Sequence, residues 1–136
     1  MISITGQQGD QEPLELLTAG EYRRDGGAVT LEYEESELSG MQGCHTSVSF
    51  EGPQVVLRRR GRAQSCMVFA KRQTSHSLYR VDDLELDVSV FPTVLEYELS
   101  DEEGWLELVY EIDLGGHRAV NRLSLEYRPR EGGHAL

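Results

Sequence analysis

The sequence has little from which to build a metal centre, a disulfide framework or a membrane span. Only two cysteines, Cys44 and Cys66, occur in its 136 residues. The four histidines His45, His76, His117 and His134 show no HxxxH spacing, and the cysteines no CxxC spacing. Adjacent residues on a strand point to opposite faces, so Cys44 and His45 would not ligate together, and no metal is expected. No apolar run approaches the ~20 residues that a spanning helix needs. The opening MISITGQQGDQEP has neither a basic nor an apolar targeting region, so no signal peptide is expected and the cytoplasm is the expected compartment. In that reducing setting both thiols stay free. Cys44 is in phase with Val48 and Phe50, whereas Cys66 is out of phase with Met67 and Phe69, which argues against a bond between them.

Positive charge is also scarce. Thirteen basic residues against 24 acidic ones leave a net charge of −11. Such a field repels phosphate, so neither nucleic acid nor an anionic membrane is an expected partner. The Arg58-Arg59-Arg60-Gly61-Arg62 run, with Lys71-Arg72 nearby, is the exception. Strand alternation splits its charges between two faces, and acidic residues of the Glu96–Glu111 hairpin are expected to neutralise the outer ones.

What the chain does have is period-two alternation almost throughout, the mark of half-buried strands. Val29, Leu31 and Tyr33 alternate with Thr30, Glu32 and Glu34. Thr46, Val48 and Phe50 follow the Gly40–Gly43 loop, and Val55 and Leu57 follow the Glu51-Gly52-Pro53 turn. Met67, Phe69 and Tyr79 mark two further strands, and Leu84, Leu86, Val88 and Val90 alternate in another. Pro92 cannot donate to a ladder and must sit at an edge, bulge or break. Leu95, Tyr97 and Leu99, then Leu106 to Leu114, then Leu123 to Tyr127 complete the pattern. Pro13 to Arg23 reads either as a short helix opened near Asp10 and Pro13 and closed by Gly20, or as a strand through Leu14, Leu16 and Tyr22; the strand is preferred. Residues 129–136 read as a frayed, glycine-rich tail.

Turn signals every 8–12 residues or so, with no long helix, predict an all-β chain. Short consecutive hairpins favour a single antiparallel up-and-down β-barrel of about eight to ten strands over residues 1–136, one domain with no open edge. Its interior is wide enough for its own side chains or for one small ligand.

The inner phase carries a few polar residues. Glu35 continues the face of Val29, Leu31 and Tyr33, and Arg59 continues that of Val55 and Leu57. Buried charge is too costly to leave unpaired, so Glu35 and Arg59 are expected to pair or to sit at a wet mouth. Tyr33, Thr46, Tyr79, Tyr97, Tyr110 and Asn121 share inner phases and form, with that pair, the candidate ligand-binding set. A bidentate grip by Arg59 on an anionic group is one reading, and an ion pair that fixes barrel register is the other. Paired carboxylates such as Glu34-Glu35 and Glu102-Glu103 lack the opposed geometry of acid–base catalysis, so no catalytic residue and no enzymatic activity are expected. The glycines belong to turns and not to phosphate loops, so no cofactor is expected. Trp105, out of phase with Leu106 and Leu108, is a candidate contact for a protein partner or a second copy of the chain.

Several short motifs, in order, resemble the DUF1934 family of small bacterial proteins. They are Tyr33-x-Glu35 with Ser36-Glu37, Gly40-Met41-x-Gly43, Thr46, Arg59-x-Gly61, Met67 with Phe69, Tyr79, Leu84-x-Leu86, Gly104 with Tyr110, and Asn121 with Leu123. The resemblance runs from Ile2 to about Tyr127. It departs at Arg62-Ala63 and at Val81-Asp82-Asp83, both in loops. It implies a calycin-like (lipocalin-like) barrel and, the family being of unknown function, little about activity. The expectation is a non-enzymatic protein that binds a small anionic or amphipathic molecule in the barrel. The alternative is an interaction module with a filled core, acting through an outer face near Trp105 and Val109.

Overall fold

The computed structural model describes residues 2–9, 12, 14–35 and 43–129. Eleven strands form one sheet: β1 (Ile2–Gln8), β2 (Leu14–Thr18), β3 (Gly20–Asp25), β4 (Ala28–Glu34), β5 (Cys44–Glu51), β6 (Gln54–Gly61), β7 (Ala63–Ala70), β8 (Ser75–Val81), β9 (Leu84–Leu99), β10 (Gly104–Leu114) and β11 (His117–Tyr127). From β3 to β11 each strand pairs antiparallel with the next, as short turns dictate. β1 then pairs with β11, from Ile2↔Tyr127 to Gln8↔Asn121, and β2 pairs with β1.

The strands at the two ends of this sheet, β2 and β3, are consecutive in the chain and separated only by Ala19. One run of residues therefore pairs first with β1 and then with β4, and the sheet returns on itself as an up-and-down barrel. Counted as one bent strand, β2–β3 brings the total to ten; the break at Ala19 makes it eleven. Over the described residues of this stretch the helical option does not occur, since Leu14–Thr18 and Gly20–Asp25 are both extended. Gly20 marks the seam. A Cβ there would overlap the Ile2 side chain of β1 and lie 2.6 Å from the Glu32 carbonyl oxygen of β4, so only glycine lets the two edges come this close.

The interior is apolar where the alternation predicts it. Leu31, Val48, Phe50, Val55, Phe69, Val88, Val90, Leu106, Leu108 and Leu125 are buried and form one cluster. Burying each such side chain contributes roughly 1.5–3 kcal/mol, which is the main force closing the barrel. Phe69 stacks across the interior on Tyr110, ring centroids 4.8 Å apart.

Two details differ from the sequence reading. Leu84 is 54% exposed, because it opens β9 beside the Asp82-Asp83 turn, where Val81↔Leu84 is the last pair of the ladder. The runs on either side of Pro92 are one strand of 16 residues. Pro92 sits at a bulge, where the register passes from Val109↔Val94 to Tyr110↔Pro92, so its missing N–H breaks no regular ladder. Among the described residues no helix is long and apolar enough to cross a membrane. Ser36, Glu37, Gly40, Met41, Asp10, Pro13, His134 and the tail from 130 onward lie outside the described residues, as do the side chains of Leu14 and Leu16.

Candidate functional site: a polar row inside the barrel

Strand register, more than any single motif, assembles the site. Tyr33 of β4 lies opposite Thr46 of β5, Thr46 opposite Arg59 of β6, Arg59 opposite Ser65 of β7, and Ser65 opposite Tyr79 of β8. Directly opposed residues on one face sit within contact distance of each other. The barrel wall thus carries one polar row across five neighbouring strands. Tyr33, Thr46 and Ser65 are buried, and Arg59 and Tyr79 are half-buried.

Glu35 joins the row from just past the end of β4. Its backbone N–H donates to the Cys44 carbonyl at 2.9 Å, which prolongs the β4–β5 pairing and keeps Glu35 in the inward phase of Tyr33. The Glu35 side chain is only 4% exposed, that of Arg59 is 18% exposed, and Arg59 Nη2 lies 3.6 Å from Glu35 Oε1. The expected inward ion pair is therefore present. Thr46 Oγ1 donates to the same Oε1 at 2.8 Å. Gly61 secures the end of β6: with φ of +119°, a Cβ there would run into the Gly43 carbonyl and the Cys44 backbone. β6 consequently turns into β7 right beside the start of β5, which fixes the height of Arg59 in the barrel.

Tyr110 and Asn121 face this row from β10 and β11, where they are register partners. Asn121 Nδ2 donates to Tyr110 Oη at 3.5 Å. Burial pushes the Tyr110 hydroxyl above its ordinary pKa, while the Asn121 hydrogen bond and the Arg59 charge pull it back. Burial likewise raises Tyr33, with the Glu35 charge adding to it and Arg59 opposing. Both phenols consequently stay protonated and act as neutral hydrogen-bonding groups.

Three buried polar atoms of this region have no hydrogen-bond partner among the described residues: Arg59 Nε, Ser65 Oγ and Asn121 Oδ1. Such orphans are rare, and each costs roughly 1–3 kcal/mol if left unmet. They comprise a cationic donor, a hydroxyl and an amide acceptor, a set suited to a carboxylate and a neighbouring donor group.

Of the predicted residues, Tyr33, Glu35, Thr46, Arg59 and Tyr79 lie in or beside the row, and Tyr110 and Asn121 face it. Tyr97 does not join them. Its ring stacks on Phe50 at 5.0 Å and its hydroxyl donates to the Gly52 carbonyl at 2.6 Å, at the β5–β6 turn. Ser65 was not in the predicted set, although its phase with Met67 and Phe69 marks it as inward.

Elsewhere, Cys44 is buried and Cys66 exposed, each with a free thiol. Trp105 is half-buried between Glu98 and Glu126, its register partners. The outer arginines of the Arg58–Arg62 run do not pair with the Glu96–Glu111 hairpin: Arg58 lies 3.7 Å from Glu51 and Arg62 lies 4.0 Å from Asp82. The reason is register, which sets β9 and β10 on the far side of β8 from Arg58. Among the described residues no cluster of three or more His, Cys, Asp or Glu side chains is placed to hold a metal ion.

No curated protein matches this chain in sequence. Among solved structures, it is similar to the crystal structure of the YwiB protein from Bacillus subtilis, with a TM-score of 0.82 and 20% identity, covering 95% of this chain and 88% of that one. That likeness supports the barrel fold alone. The pattern of the family described as a domain of unknown function, DUF1934, matches residues 2–126, and the chain belongs to that family.

Proposed function

We propose that this barrel is a non-enzymatic binding protein that holds a small anionic or amphipathic molecule in its interior, with Arg59 as the anchor. The observation that carries the reading is the set of orphaned buried atoms beside the ion pair, Arg59 Nε, Ser65 Oγ and Asn121 Oδ1. A pair that served register alone would gain by satisfying them or by replacing them with apolar groups. At 3.6 Å, Glu35 engages the end of the guanidinium as a charge and leaves the buried Nε without a hydrogen-bond partner. A ligand carboxylate placed there accepts from Nε and from the Ser65 hydroxyl, while a donor on the same ligand meets Asn121 Oδ1. The apolar body of the ligand packs against the Phe69–Tyr110 stack. Two free cysteines accord with a reducing, cytoplasmic setting.

A thermal-shift screen of carboxylate metabolites and fatty acids tests the reading. A true ligand raises the melting temperature by mass action, about 2.7 kcal/mol of stabilisation at a hundred times its Kd. The hit is lost in Arg59→Met and weakened in Ser65→Ala. Failure of every carboxylate, or a hit that survives Arg59→Met, refutes the proposal.

A further inference from the structure

The outer surface behind the polar row carries a further feature. Arg58 and Arg60 flank Arg59 on β6 and so point away from the interior. Across β7, Cys66 lies opposite Arg58, and across β8, Arg80 lies opposite Gln64. Beyond Ser65↔Tyr79 the β7–β8 ladder stops, and the two strands meet again only at the isolated Ala70↔Gln73 bridge. Where they part, the wall holds an open hollow of about 310 Å³, lined on its outer side by Arg58, Arg60, Gln64, Cys66, Leu78 and Arg80 and at its base by Arg59 and Ser65 of the polar row.

No carboxylate lines this hollow. Arg60 forms no ion pair among the described residues, and the contacts of Arg58 with Glu51 and of Arg80 with Glu85 are solvent-exposed and readily exchanged. Three guanidinium groups thus converge on one depression of a protein whose net charge is −11. Like charges gathered across strands repel one another, and a bound anion relieves that repulsion. Leu78, 46% exposed, and the exposed thiol of Cys66 give the same hollow an apolar side. The volume lies at the lower end of the range for small-molecule sites. A long polyanion would run off this basic island onto acidic surface, whereas a small one fits within it.

We propose that this outer hollow is a second binding site, for a small molecule that carries a phosphate group and an apolar portion. Arg58, Arg60 and Arg80 grip the phosphate, as guanidinium forks do, and the apolar portion lies on Leu78 and Cys66. The hollow backs onto the interior row, whose Arg59 and Ser65 also line it, but the phosphate grip is assigned to the outward Arg58, Arg60 and Arg80.

Cys66 is a built-in reporter, because Cys44 is buried and the label enters at one place. The probe is phenyl phosphate, and the readout is the rate of Cys66 alkylation by iodoacetamide, with Cys66→Ser as the blank. Phenyl phosphate is expected to slow labelling in a saturable way and to outperform inorganic phosphate at equal concentration. Arg58→Gln and Arg80→Gln are each expected to weaken protection about tenfold, the worth of one charge-assisted hydrogen bond. Arg62→Gln, whose side chain reaches towards Asp82, leaves it unchanged. Labelling that is indifferent to phenyl phosphate, or protection that survives Arg58→Gln/Arg80→Gln, overturns the proposal. So does protection by an RNA oligomer or by phosphatidate-containing vesicles but not by phenyl phosphate.

Discussion

Replacing Arg59 with methionine keeps most of the side chain's length and apolar stem but removes the charge. Glu35, 4% exposed, then keeps Thr46 as its hydrogen-bond donor and loses its only counter-charge among the described residues. Breaking a fully buried pair from one side costs about 3–5 kcal/mol. Arg59 is 18% exposed and 3.6 Å from its partner, so solvent screens part of that interaction. The expected loss is therefore about 2–3 kcal/mol. For a domain of this size it lowers the melting temperature by roughly 6–10 °C. Urea unfolding of Arg59→Met, Glu35→Gln and the double variant measures it directly. The double variant is expected to be more stable than Arg59→Met alone, because no buried charge is left unpaired. A coupling energy of about 1.5–2.5 kcal/mol should emerge from the cycle. Additive changes, or a loss under about 0.5 kcal/mol in Arg59→Met, would show that the two charges do not depend on each other inside the barrel.

Three further outcomes follow from the same geometry. Thr46→Val removes the 2.8 Å hydrogen bond to Glu35 at nearly constant volume and is expected to cost about 1–2 kcal/mol in urea unfolding, with no change of slope. Gly20→Ala forces a Cβ into Ile2 and the Glu32 carbonyl at the seam, and is expected to cost about 1–3 kcal/mol, read as a lower melting temperature and faster amide exchange in β1 and β3. Tyr33 and Tyr110 have pKa values raised by burial above the ordinary 10.0, so the stability they contribute is complete below pH 10 and is lost as pH climbs from there through their folded-state values. Alkaline titration followed by tyrosinate absorbance should show three late-ionising phenols, Tyr33, Tyr110 and Tyr127, the last also raised by burial, and Tyr33→Phe/Tyr110→Phe should move alkaline unfolding to higher pH.

The barrel is legible in the sequence because burial on one face writes itself as alternation. Val29, Leu31 and Tyr33, or Thr46, Val48 and Phe50, are inward because every second residue must be. The same rule located Glu35 and Arg59, since a charge in an apolar phase stands out. Phase says nothing about height along the barrel axis, however, which is why Tyr97 was grouped with residues it does not approach. Ser65 escaped notice for a different reason: a small hydroxyl is compatible with either face, and only its opposition to Arg59 gives it meaning. The outer hollow could not be foreseen, because it depends on where the β7–β8 ladder ends, and no residue type signals that. Leu84 shows the limit of alternation at strand ends, where a turn replaces the neighbour that would have covered it.

The seam at Ala19 also has a kinetic side. Each neighbouring pair from β3 to β11 forms by closing a short hairpin, or in the case of β4–β5 a modest loop, at small entropic cost. β1 has a local partner only on its β2 side; on its other side Ile2 must find Tyr127, a partner 125 positions later in sequence. On a ribosome, β1 and β2 emerge first and wait longest, with one strand edge unpaired, until β11 has been made. Barrel closure is thus bound to be the late event, and the early-made strands spend synthesis as the part of the molecule most open to mispairing or to a chaperone.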